Sequence, residues 1–189
     1  MQQKQREDMI LNFLSTVRLV IGCLIVAVLV KSLILKPVHV KGDSMYPTLQ
    51  NNDVGISNVF TALTGGVDRF DVVVAKDFNS DVLIVKRIIG LPGERVEYRD
   101  EKLYIDGEHV KEPFLNQTYM KKAIEENGYF TKDVSAVVLG NDEYFIVGDN
   151  RVKSLDSRAM GPCKASDIIS KDVYVFFPFS RFSFVMNAK

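Results

Sequence analysis

The chain has 189 residues, 47% of them hydrophobic, 25% charged and 10% aromatic, and its 24 basic residues balance 24 acidic ones. That length suits one domain or one domain with a small insertion. The balance removes the electrostatic case for nucleic acid, and the charged and aromatic content excludes wholesale disorder.

The first feature in chain order is apolar. Leu19–Val30 carries no charge, and after Lys31-Ser32 the apolar run resumes to Leu35, 17 residues from Leu19. That is the short end of what crosses a hydrocarbon core of about 30 Å. It extends upstream through Ile10, Leu11, Phe13 and Leu14 if Arg18 snorkels to the headgroups. Twelve positions without a polar residue argue against a soluble core helix. No small-x-small site follows, as a cleaved signal peptide would require. The expectation is therefore a retained membrane anchor over 19–36 behind a short segment 1–18. Lys4, Arg6 and Arg18 on one side tie with Lys31, Lys36 and Lys41 on the other, so charge alone does not orient it.

The remaining 153 residues are enough to bury about 70% of the unfolded surface. Short β-branched runs predict strands at Asp53–Val59, Phe70–Lys76, Asp81–Ile89, Glu94–Tyr98, Lys102–Asp106, Glu143–Val147 and Ile168–Phe177. Turn signals separate them at Thr64-Gly65-Gly66, Gly90-Leu91-Pro92-Gly93, Asp106-Gly107 and Gly140-Asn141-Asp142. Between 99 and 142 the sequence is more polar and less periodic, with helix expected only at Tyr119–Glu126. The fold class is thus mainly β: an N-terminal transmembrane helix, a β domain from 37–98 and 143–189, and a smaller inserted subdomain at 99–142. The aromatic C-terminal run predicts a core strand as far as Phe177; beyond it, Phe179, Phe182 and Phe184 suit either the core or a bilayer surface.

Three stretches carry possible chemistry. Gly42-Asp43-Ser44-Met45-Tyr46-Pro47-Thr48-Leu49 sets a serine in a Gly/Pro-bounded turn, where serines usually only cap or bend. A nucleophilic serine needs a proton acceptor. His39 and His109 have no evident route to Ser44, and the chain's two cysteines, Cys23 and Cys163, build no disulfide scaffold. In Asp81–Ile89, period two puts Val82, Ile84, Lys86 and Ile88 on one face and Leu83, Val85, Arg87 and Ile89 on the other. Both basic residues can snorkel or pair. If one is buried and neutral it must be Lys86, because arginine stays protonated. Finally, Gly148-Asp149-Asn150-Arg151-Val152-Lys153-Ser154-Leu155-Asp156-Ser157-Arg158 is either a solvated loop or a shell orienting reactive groups.

These boxes, with Val85-Lys86-Arg87-Ile88-Ile89-Gly90-Leu91-Pro92-Gly93-Glu94 and Phe70-Asp71-Val72-Val73-Val74, resemble the successive signature boxes of type I signal peptidases, in order behind an N-terminal anchor. The resemblance implies a Ser/Lys dyad endopeptidase, with Ser44 as nucleophile, Lys86 as general base and Ser154 orienting the lysine. Asp149, Asp156 and Arg158 fall on supporting positions. It implies signal peptides of exported preproteins as partners, cleaved after small residues (Ala-x-Ala-like), and a single-pass protein of the cell membrane with the catalytic domain on its extracytoplasmic side. It also implies no metal and no cofactor. Val38, Val40, Met45, Leu49, Ile84 and Val85 flank Ser44 and Lys86 and are the expected substrate-lining residues, equally suited to the core. One departure is Gly42, where some bacterial members carry a serine whose hydroxyl adds an oxyanion donor. The acidic Asp43 has no evident role.

Other readings fit less well. Gly42-Asp43-Ser44 echoes GDSL-type esterases, but no histidine follows His109. Self-cleaving repressors share Ser/Lys chemistry, but an anchor stands here where their DNA-binding domain would be. A signal-peptidase-like assembly factor for surface or pilus proteins, with little peptidase activity, is the alternative. In such proteins the dyad is replaced, whereas Ser44 and Lys86 are both present.

Overall fold

The computed structural model describes residues 2–59, 66–78, 80 and 82–185. Thr64 and Gly65 of the expected turn, and Asp81 at the start of an expected strand, lie outside the described residues.

The chain divides into two units, 1–35 and 36–189. The first is a single helix, α1 (Gln2–Ile34). Its stretch Met9–Val28 is 20 residues long with mean hydropathy 2.1, and none of it is buried within the protein. Side chains apolar on every face have no reason to form a stripe, and a helix of this kind is long enough to cross a bilayer. The apolar helix begins upstream of the predicted 19–36, and Leu35 and Lys36 open a strand instead of closing the helix. Pro37 explains the stop: it cannot continue a helix and holds the residue before it extended.

The second unit holds two sheets. The larger contains β1 (Leu35–His39), β2 (Val54–Asn58), β3 (Val72–Lys76), β4 (Leu83–Gly90), β9 (Glu143–Val147), β10 (Cys163–Lys164), β11 (Ile168–Phe177) and β12 (Ser183–Val185). Their order is β1-β2-β11-β3-β4-β9-β10, with β12 against β11. The smaller sheet, ordered β7-β6-β5-β8, contains β5 (Arg95–Arg99), β6 (Lys102–Ile105), β7 (Glu108–Val110) and β8 (Val134–Val138). Between β7 and β8 the chain forms one helix, α2 (Gln117–Asn127), capped by the Asn116 side chain and closed by left-handed Gly128. A short helix, α3 (Ser157–Met160), follows β9.

β5, which falls within the 37–98 expected for the β domain, lies in the smaller sheet. β5 pairs with β6 and β8, placing Val96 opposite Ile105 and Val137. Alternation within 94–98 identified a strand but carried no information on its partner. β3 and most of β4 are buried on both faces, which matches their unbroken apolar, β-branched runs.

Three apolar clusters hold the unit together. Val38, Val40, Met45, Leu49, Val72, Val74, Val173 and Val175 form one. Ile89, Val96, Tyr98, Leu103, Ile105, Leu139, Phe145 and Val147 form a second, drawn from both sheets. Val73, Ala75, Ile88, Ile146 and Cys163 form the third. The C-terminal strand leaves the core earlier than expected: Val173 and Val175 are buried, whereas Phe176 and Phe177 are 40% and 50% exposed. Period two sends Phe176 outward, and a register shift between Val175 and Phe177 ends the alternation.

Candidate active site

Sequence carries the chain directly from β1 into the Ser44 turn. Met45 and Leu49 are fully buried in the first apolar cluster, and Leu49 N–H donates to Met45 O at 2.9 Å. These two plugs fix the turn from below and leave Ser44, just before Met45, partly exposed. At its start, Gly42 takes φ +84°, a left-handed value that suits glycine. Its N–H donates to Asn51 Oδ1 at 2.9 Å, so this amide is already engaged.

β4 supplies the partner. Lys86 faces Val73 across the β3–β4 ladder and is only 3% exposed. Its Nζ lies 2.8 Å from Ser44 Oγ. Desolvation by burial pushes the Lys86 pKa below its ordinary value, partly opposed by the negative charges of Asp156 and Asp77 and reinforced by Arg158. A lysine with a lowered pKa, one hydrogen bond from a serine hydroxyl, can take its proton and make it a nucleophile.

Arg87, next in sequence, points elsewhere. Its Nε and Nη2 donate to Asp149 Oδ1 and Oδ2 at 2.8 and 2.7 Å, Nη1 donates to Phe70 O at 2.8 Å, and the guanidinium lies over the Phe114 ring. Both members of the pair are 1% exposed. Thr48 Oγ1 donates to the same carboxylate at 2.5 Å, so Asp149 ties the Ser44 turn to β4.

The residues after β9 complete the arrangement. Gly148 N–H donates to Asp156 Oδ2 at 3.0 Å. Asn150 N–H donates to Ser44 O at 3.0 Å, and its side-chain amide donates to Asp43 O at 2.9 Å. Arg158 Nε and Nη2 each donate to Asp156 at 2.8 Å. Burial raises the Asp156 carboxyl, but Arg158, then the Gly148 N–H and Ser154, outweigh it and hold the pKa below the ordinary value. Ser154 Oγ is buried beside that carboxylate without a hydrogen bond of good geometry.

A family model described as "Signal peptidase, peptidase S26" matches residues 13–177. The chain belongs to this family. It is a serine endopeptidase of the signal peptidase I type, and signal-peptide removal is the reaction of that type. Signal peptidase I S of Bacillus subtilis is 38% identical over 173 residues, covering 90% of this chain and 92% of the relative. Signal peptidase IB of Staphylococcus aureus is 35% identical, covering 86% and 88%. The crystal structure of a signal peptidase I from Enterococcus faecalis is 34% identical with TM-score 0.50, covering 56% of this chain and 95% of that one.

In this peptidase the residues singled out from sequence separate into groups. Ser44 and Lys86 meet, and Asp149, Asp156 and Arg158 surround them through the contacts above. Ser154 neighbours Asp156. Of the expected substrate-lining residues, Val38, Val40, Met45 and Leu49 are buried in the first cluster. Val85 is partly buried against the same cluster, and Ile84 packs on the opposite face of β4. Sequence reading passed over Gly148, Asn150, Arg151 and Asn51. The first three lie inside the segment after β9, but their roles run through backbone atoms and an ion pair to Glu112, which residue type does not announce.

The Arg87–Asp149 pair makes a stability prediction. Asp149→Ala leaves a buried guanidinium without its carboxylate, and such losses cost about 3–5 kcal/mol. Chemical unfolding in detergent is expected to show that loss, and an unchanged unfolding midpoint would contradict it.

Proposed function

We propose that the peptidase is anchored by α1, carries its β domain on the extracytoplasmic side, and cuts exported preproteins after small residues with Ser44 as nucleophile and Lys86 as general base. The observation that carries this reading is the 2.8 Å approach of Lys86 Nζ to Ser44 Oγ at a lysine 3% exposed.

Neutral Lys86 accepts the hydroxyl proton as Ser44 Oγ bonds to the scissile carbonyl carbon. The Ser44 N–H is the available backbone donor for the oxyanion, because the Gly42 N–H is held by Asn51. The C–N bond then breaks, and the lysine returns its proton to the departing amine. Water, deprotonated by Lys86, attacks the ester carbon; the bond to Ser44 Oγ then breaks and the lysine returns the proton to that oxygen. Ser154 is assigned to orient the lysine amine: its buried hydroxyl makes no hydrogen bond of good geometry and lies beside Asp156, whose charge acts on Lys86. Asp156, fixed by Arg158 and Gly148, supplies a nearby negative charge that stabilises the cation formed in each step.

The sheet offers a place for an extended substrate. Described ladder pairs between β4 and β9 start only at Arg87, so the Leu83–Lys86 edge lies open beside the dyad. A peptide adding there is held by main-chain hydrogen bonds while alternate side chains enter pockets. Val85, partly buried against the first cluster, lies on this edge beside Lys86, whereas Val38, Val40, Met45 and Leu49 are closed into that cluster and Ile84 packs on the other face of β4.

The test uses the full-length protein in detergent and a preprotein with an Ala-x-Ala site. Cleavage directly after the second alanine is expected, lost when that alanine becomes phenylalanine. Cleavage indifferent to that change would overturn the proposed specificity.

A further inference from the structure

A groove of about 400 Å³ lies between α2 and the Ser44 turn, walled by Asp43, Tyr46, Tyr119, Lys122, Asn150 and Lys153 among others. Two of its walls touch the nucleophile directly: Asp43 precedes Ser44, and Asn150 holds the Ser44 carbonyl. Tyr46 and Tyr119 meet edge to face, ring centroids 5.0 Å apart, and make an aromatic floor. No residue of β4 lines it. It is therefore distinct from the strand edge that takes the signal-peptide half of the substrate in the reading above, on which this inference rests.

We propose that this groove receives the first residues of the mature chain, and that the Asp43 carboxylate holds the amino terminus released there. A polypeptide cut at Ser44 has one half on the β4 edge, and its other half must leave past the turn itself. The groove is a concave surface that begins at that turn. Its walls carry two carboxylates, Asp43 and Glu126, and two lysines, Lys122 and Lys153, and the charge next to Ser44 in the chain is the acidic Asp43. Acylation breaks the C–N bond and leaves an α-amine, whose ordinary pKa of about 7.7–8.0 makes it largely cationic at neutral pH. The Asp43 carboxylate makes no ion pair or hydrogen bond among the described residues, whereas Lys122 is paired with Glu126 at 3.7 Å. Asp43 faces the groove, because its charge acts on the Tyr119 phenol, which burial first, then Tyr46 and Asp43, push above the ordinary value. The acidic residue beside the nucleophile, unexplained by the dyad, thereby acquires a role in holding and releasing product.

Product inhibition of the full-length protein in detergent tests this. A ten-residue peptide matching the mature start is compared with its N-acetylated form, and with the signal-peptide-side product. For the unaltered protein the free-amine peptide is expected to inhibit about three- to fivefold better than the acetylated one, the size of one exposed ion pair. In Asp43→Asn the difference vanishes while inhibition by the signal-peptide-side product stays the same. Tyr119→Ala is expected to weaken both mature-side peptides, again sparing the other product. Persistence of the amine preference in Asp43→Asn would overturn the assignment. Failure of the unaltered protein to cleave the parent preprotein would overturn the functional reading instead.

Discussion

Lys86→Met is expected to lower kcat for preprotein cleavage by about 10²–10⁴-fold, the usual contribution of a positioned general base, while raising the thermal midpoint. The two effects share one cause. Lys86 is almost fully buried, and desolvation holds its pKa below the ordinary 10.5. Between the lowered value and 10.5 the unfolded chain carries a proton on this side chain that the folded chain has lost. Folding stability therefore rises with pH across that window. Methionine fills similar space with no proton to lose, so it flattens this slope and removes the penalty at lower pH. Activity follows the same titration: kcat/KM rises with pH through the lowered lysine pKa, because only the neutral amine can accept the Ser44 proton. Arg87→Lys added to Lys86→Ala is not expected to restore a base, since position 87 faces Asp149 and Phe114. Full processing by Lys86→Met would remove the lysine from the mechanism.

Gly148→Ala is expected to reduce kcat/KM by about 10²-fold, the scale set by a misplacement of roughly 1 Å at a reacting group. A methyl group there would overlap the Ser44 carbonyl oxygen and Ser154 Oγ. The carbonyl is backbone and already held by Asn150, so relief requires moving the nucleophile's own peptide unit. Gly140→Ala is the control. Its added carbon meets only the flexible Glu143 side chain, at 3.2 Å, and near-normal activity is expected. Rates measured well below each variant's thermal midpoint separate a displaced nucleophile from a general loss of stability. Normal kcat/KM in Gly148→Ala would show that the turn is free to shift.

Much of this architecture is legible in the sequence because short alternating runs bounded by glycine and proline specify strands locally. Glu143–Val147 and Ile168–Phe177 coincide with β9 and β11, and the helix expected at 119–126 lies within α2. Partnership is less legible. β5 belongs to the smaller sheet, and β8, rich in valine at Val134–Val138, was hidden in a stretch too polar overall to read as strand. At the site, residue chemistry singled out Lys86 over Arg87. Their opposite faces followed from period two, but the meeting of Lys86 with a serine 42 positions earlier did not. Contacts made by backbone atoms, such as Asn150 to Ser44, leave no compositional trace.

The four residues after β9 each grip something different. Gly148 holds Asp156, Asp149 holds Arg87 and Thr48, and Asn150 holds the Ser44 turn. Arg151 donates through Nε to Gly148 O and pairs with Glu112, which also accepts from the Tyr98 hydroxyl. Such a connection behaves as core even though it joins two elements. Its amides, those of Gly148 and Asn150 above all, should exchange with deuterium as slowly as those of the central strands, since opening one grip strains the rest. The smaller sheet reaches the nucleophile through this same segment, Tyr98 to Glu112 to Arg151. It is thus a brace rather than an appendage, and trimming it back to a tight turn would loosen the serine that it never touches.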